Sequence, residues 1–262
     1  MDKFRLTTAA AQKYDNHSVP AMFGPLARAT LEKVSLPKNA HILDVACGTG
    51  ALTREIAAQM QGTGRLVGAD LNDTMIDLAT QRHPPDSHSA AYVASDVCTL
   101  PFDDATFDLA FCQQGLQFFP DKLAALTEVR RVLKPRGHLK LTCWSAISPF
   151  NKALADALER HVGKAASDKA RAPFSFRDGD VIANLMRESN FTLQAHTIIV
   201  LERRFEDLFA QIMALPVEQD LREAGETVTH TVVADVAANL KQYAQGDTLV
   251  VPQEAHLFEA IA

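Results

Sequence analysis

Two acids and two glycines stand out in this 262-residue chain: Asp44, Gly48 and Gly50 fall together, and Asp70 follows twenty positions after Gly50. The run 41–50 is apolar and strand-like, ends in a short glycine loop, and passes directly into helical text. Glycines without side chains let a ligand approach the backbone there, where the free N–H groups of the helix's first turn can meet it. A carboxylate placed like Asp70 can accept hydrogen bonds from ribose hydroxyls. Asp96, at the end of a further strand-like run, brings a third carboxylate towards the same crevice. The chemistry is nucleoside binding, and charge selects the nucleoside. Three carboxylates repel a dinucleotide pyrophosphate at close range, and Thr53 stands where the dinucleotide fingerprint has its third glycine. S-adenosylmethionine has no phosphate and carries a sulfonium and an ammonium, so the same crevice favours it.

These residues need an alternating arrangement of strands and helices to bring them together. Residues 51–60 place Leu52, Ile56 and Met60 on one helical face, with Gly62 near the helix end. The acid Asp70 closes a second strand, and a helix to about residue 82 turns Met75, Leu78 and Ala79 inward before Pro84-Pro85. Strands are expected at 90–95, 107–114 and 139–144, with an amphipathic helix over 121–133. Gln113, Gln114 and Gln117 supply neutral amides where the fourth strand meets the crevice. Further helices are expected over 151–162 and 178–189, with Asn190 in a left-handed position. The polar stretch 163–171 reads as a mobile lid; its Lys164, Lys169 and Arg171 are read as solvated in preference to gripping an anionic substrate.

Two last strands, 192–202 and 249–261, flank nearly fifty residues of helical text, including 205–215 and 232–243. This is too long for a hairpin turn and is read as an added helical cap. Its stripe of Phe205, Leu208, Phe209, Ile212 and Met213 is read as core before substrate box, with a homodimer interface as the other reading. At the other end, helix-like stretches 6–13 and 22–34 flank Tyr14-Asp15-Asn16-His17, which can fold over a ligand.

Net charge of −6 and a pI near 5.8 argue against a nucleic-acid face. No apolar run reaches the ~20 residues a membrane span requires. With no signal-peptide core, a cytoplasmic protein without membrane or nucleic-acid partners is expected. The four cysteines never form a C-x-x-C pair and the nine histidines show no ligand spacing, so neither a disulfide nor a metal is expected.

The runs Leu43-Asp-Val-Ala-Cys-Gly-Thr-Gly50, Val67-Gly-Ala-Asp70 and Asp96 to Asp108 are followed by Phe118-Phe-Pro-Asp121 and Glu128 to Gly137. In order and spacing over residues 40–145 they resemble the Class I S-adenosylmethionine-dependent methyltransferases, closest to the ubiquinone/menaquinone-biosynthesis-like group. The resemblance implies an α/β, Rossmann-like doubly wound and mostly parallel seven-stranded sheet with helices on both faces, here with the added cap between the last two strands. It divides one domain into an N-terminal helical lid (1–38), a cofactor core (39–145), substrate-side helices and strand (146–204), the cap (205–248) and a last strand (249–262). On the motif positions it implies cofactor contacts from Tyr14, Asp44, Ala46, Cys47, Gly48, Gly50, Asp70, Leu71, Met75, Asp96, Val97 and Gln113. Tyr14 lies against the methionine end, Asp96 meets the adenine amino group, and Val97 packs on the ring. Arg136 stands where the family has the first of two turn glycines, and Gln117 stands near a frequent histidine.

The expected reaction is methyl transfer to a small-molecule acceptor. The acceptor atom stays open and the catalytic residues unassigned, since Tyr14, His17, His161 and His230 qualify as general bases by type alone. The rival readings are a repurposed S-adenosylmethionine-binding or scaffold protein and, less favoured, an NAD-dependent oxidoreductase.

Overall fold

The computed structural model describes residues 7–262. Its centre is a sheet whose strands β1 (Ile42–Val45), β2 (Leu66–Asp70), β3 (Ala90–Ala94), β4 (Phe107–Gln113) and β5 (Leu133–Trp144) are joined in parallel. β6 (Thr192–Phe205) and β8 (Thr248–Ile261) complete the order 3-2-1-4-5-8-6, with β8 antiparallel to both neighbours. Those are the seven expected strands. An eighth, the two-residue β7 (Ala244–Gln245), pairs with the start of β8.

Parallel strands buried on both faces are continuously apolar, and here alternate residues feed two different cores. Leu43, Val45, Val67, Ala69, Ala110 and Cys112 pack with α5 (Lys122–Val132) and α8 (Gly179–Glu188). Ile42, Leu66, Leu109 and Phe111 pack instead with α2 (Gly24–Leu31) and α3 (Ala51–Gln59). Asn72 caps α4 (Asp73–Arg82), Asp121 caps α5 and Asp178 caps α8, each side chain accepting first-turn N–H groups.

Three stretches depart from expectation. Residues 6–13 and 22–34 are not two helices around a loop: among the described residues α1 (Thr8–Lys13) runs through a ten-residue π-type helix, Tyr14–Phe23, straight into α2, with Pro20 inside the wide segment. Leu6 lies outside the described residues. The stretch read as a mobile lid is a helix, α7 (Lys164–Arg171). Its cations are already matched: Lys164 pairs with Asp168 at 2.6 Å, Lys169 with Asp220 at 2.8 Å and Arg171 with Asp156 at 2.5 Å. The fifth strand begins earlier than expected and holds Arg136 at φ +66°, a left-handed conformation that glycine would adopt without strain.

α6 (Pro149–His161) and α7 share a core with α9 (Leu208–Met213), α10 (Glu218–Ala224) and α11 (Glu226–Leu240), centred on Phe150, Leu154, Phe205, Val232 and Val236. Of the apolar stripe, Phe205 and Ile212 are buried in that core while Phe209 stays exposed.

Candidate functional site

The site lies where β1 and β2 end. Asp44 is 1% exposed, and its Oδ2 accepts a 2.6 Å hydrogen bond from Thr53 Oγ1 on α3. Thr53, which spoils the dinucleotide fingerprint, thus holds the acid of the loop. The other oxygen, Asp44 Oδ1, is buried with no protein partner. Burial, opposed by the Thr53 hydrogen bond and reinforced by the charge of Asp70, raises the Asp44 carboxyl to about 7. Between β1 and α3 the backbone turns through Ala46 (φ +56°), Gly48 (φ +56°) and Gly50 (φ +80°). Ala46 is the residue that bears strain, since its Cβ is disfavoured there.

Asp70 ties the two loops together. Its Oδ2 accepts the Gly48 N–H and its Oδ1 the Asn72 N–H, both at 2.9 Å. Burial nevertheless pushes its carboxyl above the usual range. Next to it Leu71 is 37% exposed, an apolar side chain left uncovered at the crevice, whereas Met75 is buried with Ala11 and Leu78. Cys47 is a buried thiol directed at Gly48 O, and burial near Asp44 and Asp70 holds it protonated.

Tyr14 reaches this loop from the wide N-terminal helix. A Cβ built on Gly48 would stand 3.7 Å from its hydroxyl. Burial, then the charges of Asp70 and Asp15, raise the Tyr14 phenol far beyond its ordinary value, so it is a neutral donor and no base at physiological pH. Its ring lies 5.1 Å from Phe23, and Phe23 lies 6.4 Å from Trp144 at the end of β5. Gln113 Nε2 donates to Phe23 O at 3.1 Å, leaving Oε1 buried without a partner. The helix is fastened through Asp15, whose oxygens lie 3.1 Å from Arg82 Nε and 3.8 Å from Arg54 Nη2, and through a Lys13 to Glu218 ion pair with α10.

The structure thus joins Tyr14, Asp44, Ala46, Cys47, Gly48, Gly50, Asp70 and Gln113, and Asp96 follows Ser95, whose N–H bonds Asp70 O at 2.8 Å. Asp96 is exposed beyond β3, and its Oδ1 accepts the Cys98 N–H at 2.9 Å, a turn-capping role; Val97 beside it is half-buried against the sheet core. Of the histidines, His17 is exposed, His161 bonds Asp235 at 2.7 Å, and His230 approaches Glu226 at 3.7 Å within the cap. Gln114 and Gln117 bond one another at 3.1 Å inside the protein.

One site residue escaped the sequence reading. Tyr92 on β3 pairs in register with Gly68, and a Cβ at Gly68 would come 2.8 Å from the Tyr92 ring. Its hydroxyl sits over Gly50 and bonds His83 Nδ1 at 3.0 Å. A glycine inside a strand marks close approach by another group, so Gly68 was the available signal.

A cationic, phosphate-free nucleoside fits this donor set: a carboxylate oxygen and an amide oxygen lack partners, and the flanking side chains are apolar or aromatic. Comparison with known proteins agrees. Residues 43–141 match the family described as a methyltransferase domain. The chain is 34% identical over 177 residues to a ubiquinone/menaquinone biosynthesis C-methyltransferase of Enterobacter sp., covering 60% of this chain and 70% of that protein. It is 37% identical over 124 residues to a demethylmenaquinone methyltransferase of Lactiplantibacillus plantarum, covering 47% of this chain and 52% of the relative. The match therefore spans only about half the length of some of these relatives. Among solved structures, a Haemonchus contortus phosphoethanolamine N-methyltransferase 2 in complex with S-adenosyl-L-methionine superposes with a TM-score of 0.59 at 17% identity, covering 99% of this chain and 58% of that one. No helix among the described residues is long and apolar enough to cross a membrane. The loop geometry and these relatives together place the chain in the Class I S-adenosylmethionine-dependent methyltransferase family, in its ubiquinone/menaquinone-biosynthesis-like group.

Proposed function

We propose that this chain transfers the methyl group of S-adenosylmethionine to a small, flat aromatic acceptor. The observation that carries the reading is the Asp44 carboxylate, buried beside Asp70 with one oxygen unpartnered where the glycine loop opens. Such a pair favours a cation and disfavours a pyrophosphate. The aromatic row Tyr14, Phe23, Trp144 and Phe174 supports a planar acceptor, and the curated relatives are named for menaquinone and ubiquinone methylation.

When bound, the cofactor supplies the electrophilic methyl group. Tyr14, Asp44, Gly48, Gly50, Asp70, Leu71, Met75 and Gln113 would hold it, with Asp96 and Val97 at the outer edge. Asp70 keeps Gly48 in place, and Thr53 keeps Asp44 aimed. The N-terminal helix, fastened through Asp15, lays Tyr14 over Gly48 and would keep water from the bound methyl group. Alignment of two reactants can account for several kcal/mol of barrier, so the protein's main contribution is positional. A ring carbon or an acidic phenol needs little help from a base.

Titration with S-adenosylmethionine and with NADH, followed by incubation with methyl-labelled cofactor and a metabolite extract, tests this. Binding of the first ligand alone, with label appearing in an aromatic product, is expected. NADH binding would restore the oxidoreductase reading, and tight cofactor binding without transfer to any component would favour a repurposed protein.

A further inference from the structure

Arg203 stands in the part of β6 that runs past the end of β5. Trp144, the last residue of β5, is level with Ala255 of β8; β6 reaches that level at Ile199 and continues to Phe205, still paired with β8. Arg203 is 4% exposed, and its guanidinium lies between the rings of Phe150 and Phe205, at 5.0 and 4.8 Å. Nη1 donates to Asn151 Oδ1 at 3.3 Å, while Nε has no partner. No ion pair neutralises it among the described residues, and burial alone lowers it to about 10. Gln253 is 1% exposed with neither amide atom partnered. The register sets Leu201 opposite Gln253 and Arg203 opposite Val251, so the arginine and the glutamine share one face of this two-strand arm.

The neighbouring cations behave differently. Lys164, Lys169 and Arg171 are each matched by a carboxylate at the surface. A buried guanidinium without a counter-charge destabilises the fold, and aromatic faces offset only part of that. Placements of this kind occur where stability is given up for a ligand. The surroundings also lead back to the cofactor loop. Leu201, two positions before Arg203 on the same face, packs in a cluster with Trp144 and Phe23. Phe23 touches Tyr14, and Tyr14 covers Gly48.

We infer that Arg203, flanked by Gln253 and Asn151, receives a carboxylate group on the methyl acceptor, whose ring lies among the aromatic side chains leading to Tyr14. The inference rests on the methyltransferase reading and extends it to the acceptor. A guanidinium fork matches a carboxylate in plane. One cation among neutral amides balances one negative charge, so a carboxylate suits the cluster better than a phosphate dianion.

The test uses the full chain with S-adenosylhomocysteine and three probes: benzoate, benzamide and phenyl phosphate. Calorimetry and thermal unfolding are run on the wild type and on Arg203→Met, and calorimetry on Gln253→Leu. Benzoate is expected to bind the wild type at least tenfold more tightly than either other probe. Arg203→Met should lose that preference with S-adenosylhomocysteine affinity unchanged and Tm unchanged or higher, because an unmatched buried charge has gone. Gln253→Leu should weaken benzoate in the same direction. Benzoate bound no better than benzamide by the wild type, equal benzoate binding by Arg203→Met, or a preference for phenyl phosphate would overturn the inference. A lower Tm in Arg203→Met with benzoate preference intact would assign the arginine to packing. Failure of S-adenosylhomocysteine to bind the wild type would refute the methyltransferase reading instead, and benzoate titration without cofactor keeps the two failures distinct.

Discussion

Replacing Asp44 by asparagine separates the stability of the fold from its affinity for cofactor. The side chain keeps its shape and still offers an oxygen to Thr53 Oγ1, but it cannot ionise. In the native chain the Asp44 carboxyl titrates near 7, against 3.8 for an exposed aspartate. Between those values the native state holds a proton that the unfolded chain has released. Stability therefore falls as pH rises through the window and stays low above it. From pH 5 to pH 8 this amounts to about 2.6 kcal/mol, at ~1.36 kcal/mol per unit of pKa shift crossed. At roughly 2 to 4 °C per kcal/mol for a chain of this size, the Tm advantage of Asp44→Asn should grow by about 5 to 10 °C between pH 5 and pH 8. Scanning calorimetry without cofactor at the two pH values reads this directly. Titration at pH 8 should show the opposite sign, S-adenosylmethionine binding some 10- to 100-fold more weakly, about 1.5 to 3 kcal/mol for a lost charged contact. A Tm difference that does not change with pH, or cofactor affinity equal to wild type, would refute the reasoning.

Asp70→Ala should also weaken the cofactor by more than tenfold in calorimetry and should speed amide exchange at Gly48, whose N–H loses its acceptor; unchanged exchange would mean that the loop is held otherwise. Asp15→Ala removes the acid facing Arg54 and Arg82, so limited proteolysis should cut faster within 14–23 while α5 stays protected; an unaltered cleavage pattern would show that Lys13 and apolar packing suffice. His196 stacks 4.2 Å from Phe258 and bonds His256 at 2.8 Å, and burial together with His256 lowers its pKa below 6.5. The unfolded chain then binds the proton more readily, so stability should decline as pH drops below about 6.5. His196→Phe should flatten that slope in urea unfolding at pH 5 and pH 7.5.

The Asp44 loop was legible because strand, glycines and helix follow one another without a break, and Asp70 because it closes the next strand, although it reaches back to Gly48 across 22 positions. The helices starting at Asp121 and Asp178 were legible because a helix start is set within about three residues, here by those two side chains. Asn190 was legible too, taking φ +63° after α8. The lid read into 163–171 failed for a different reason. Its polar composition hid a narrow apolar face: Ala166 and Ala170 pack in the core shared with α6, while the solvated cations Lys164, Lys169 and Arg171 meet Asp168, Asp220 and Asp156 at the surface. Pro20 and the mixed text around it gave no sign of a wide helix, which local periodicity at 3.6 residues does not encode. Asp96 ended a strand as expected, yet it caps its own turn, a contact too short in sequence to distinguish from ligand binding. Arg203 was invisible for the opposite reason, since Phe150, Asn151 and Gln253 each lie about fifty positions away and converge only in the fold.

The overhang of β6 and β8 past Trp144 has an evolutionary corollary. Six residues of β6, spanning about 20 Å at ~3.3 Å each, stand clear of β1, β2 and β4. Side chains can be exchanged on that projecting ribbon, or helices enlarged around it, without disturbing the Asp44 turn. A lineage could thus retool which molecule it modifies while the donor machinery stays untouched, consistent with a family match that ends at residue 141.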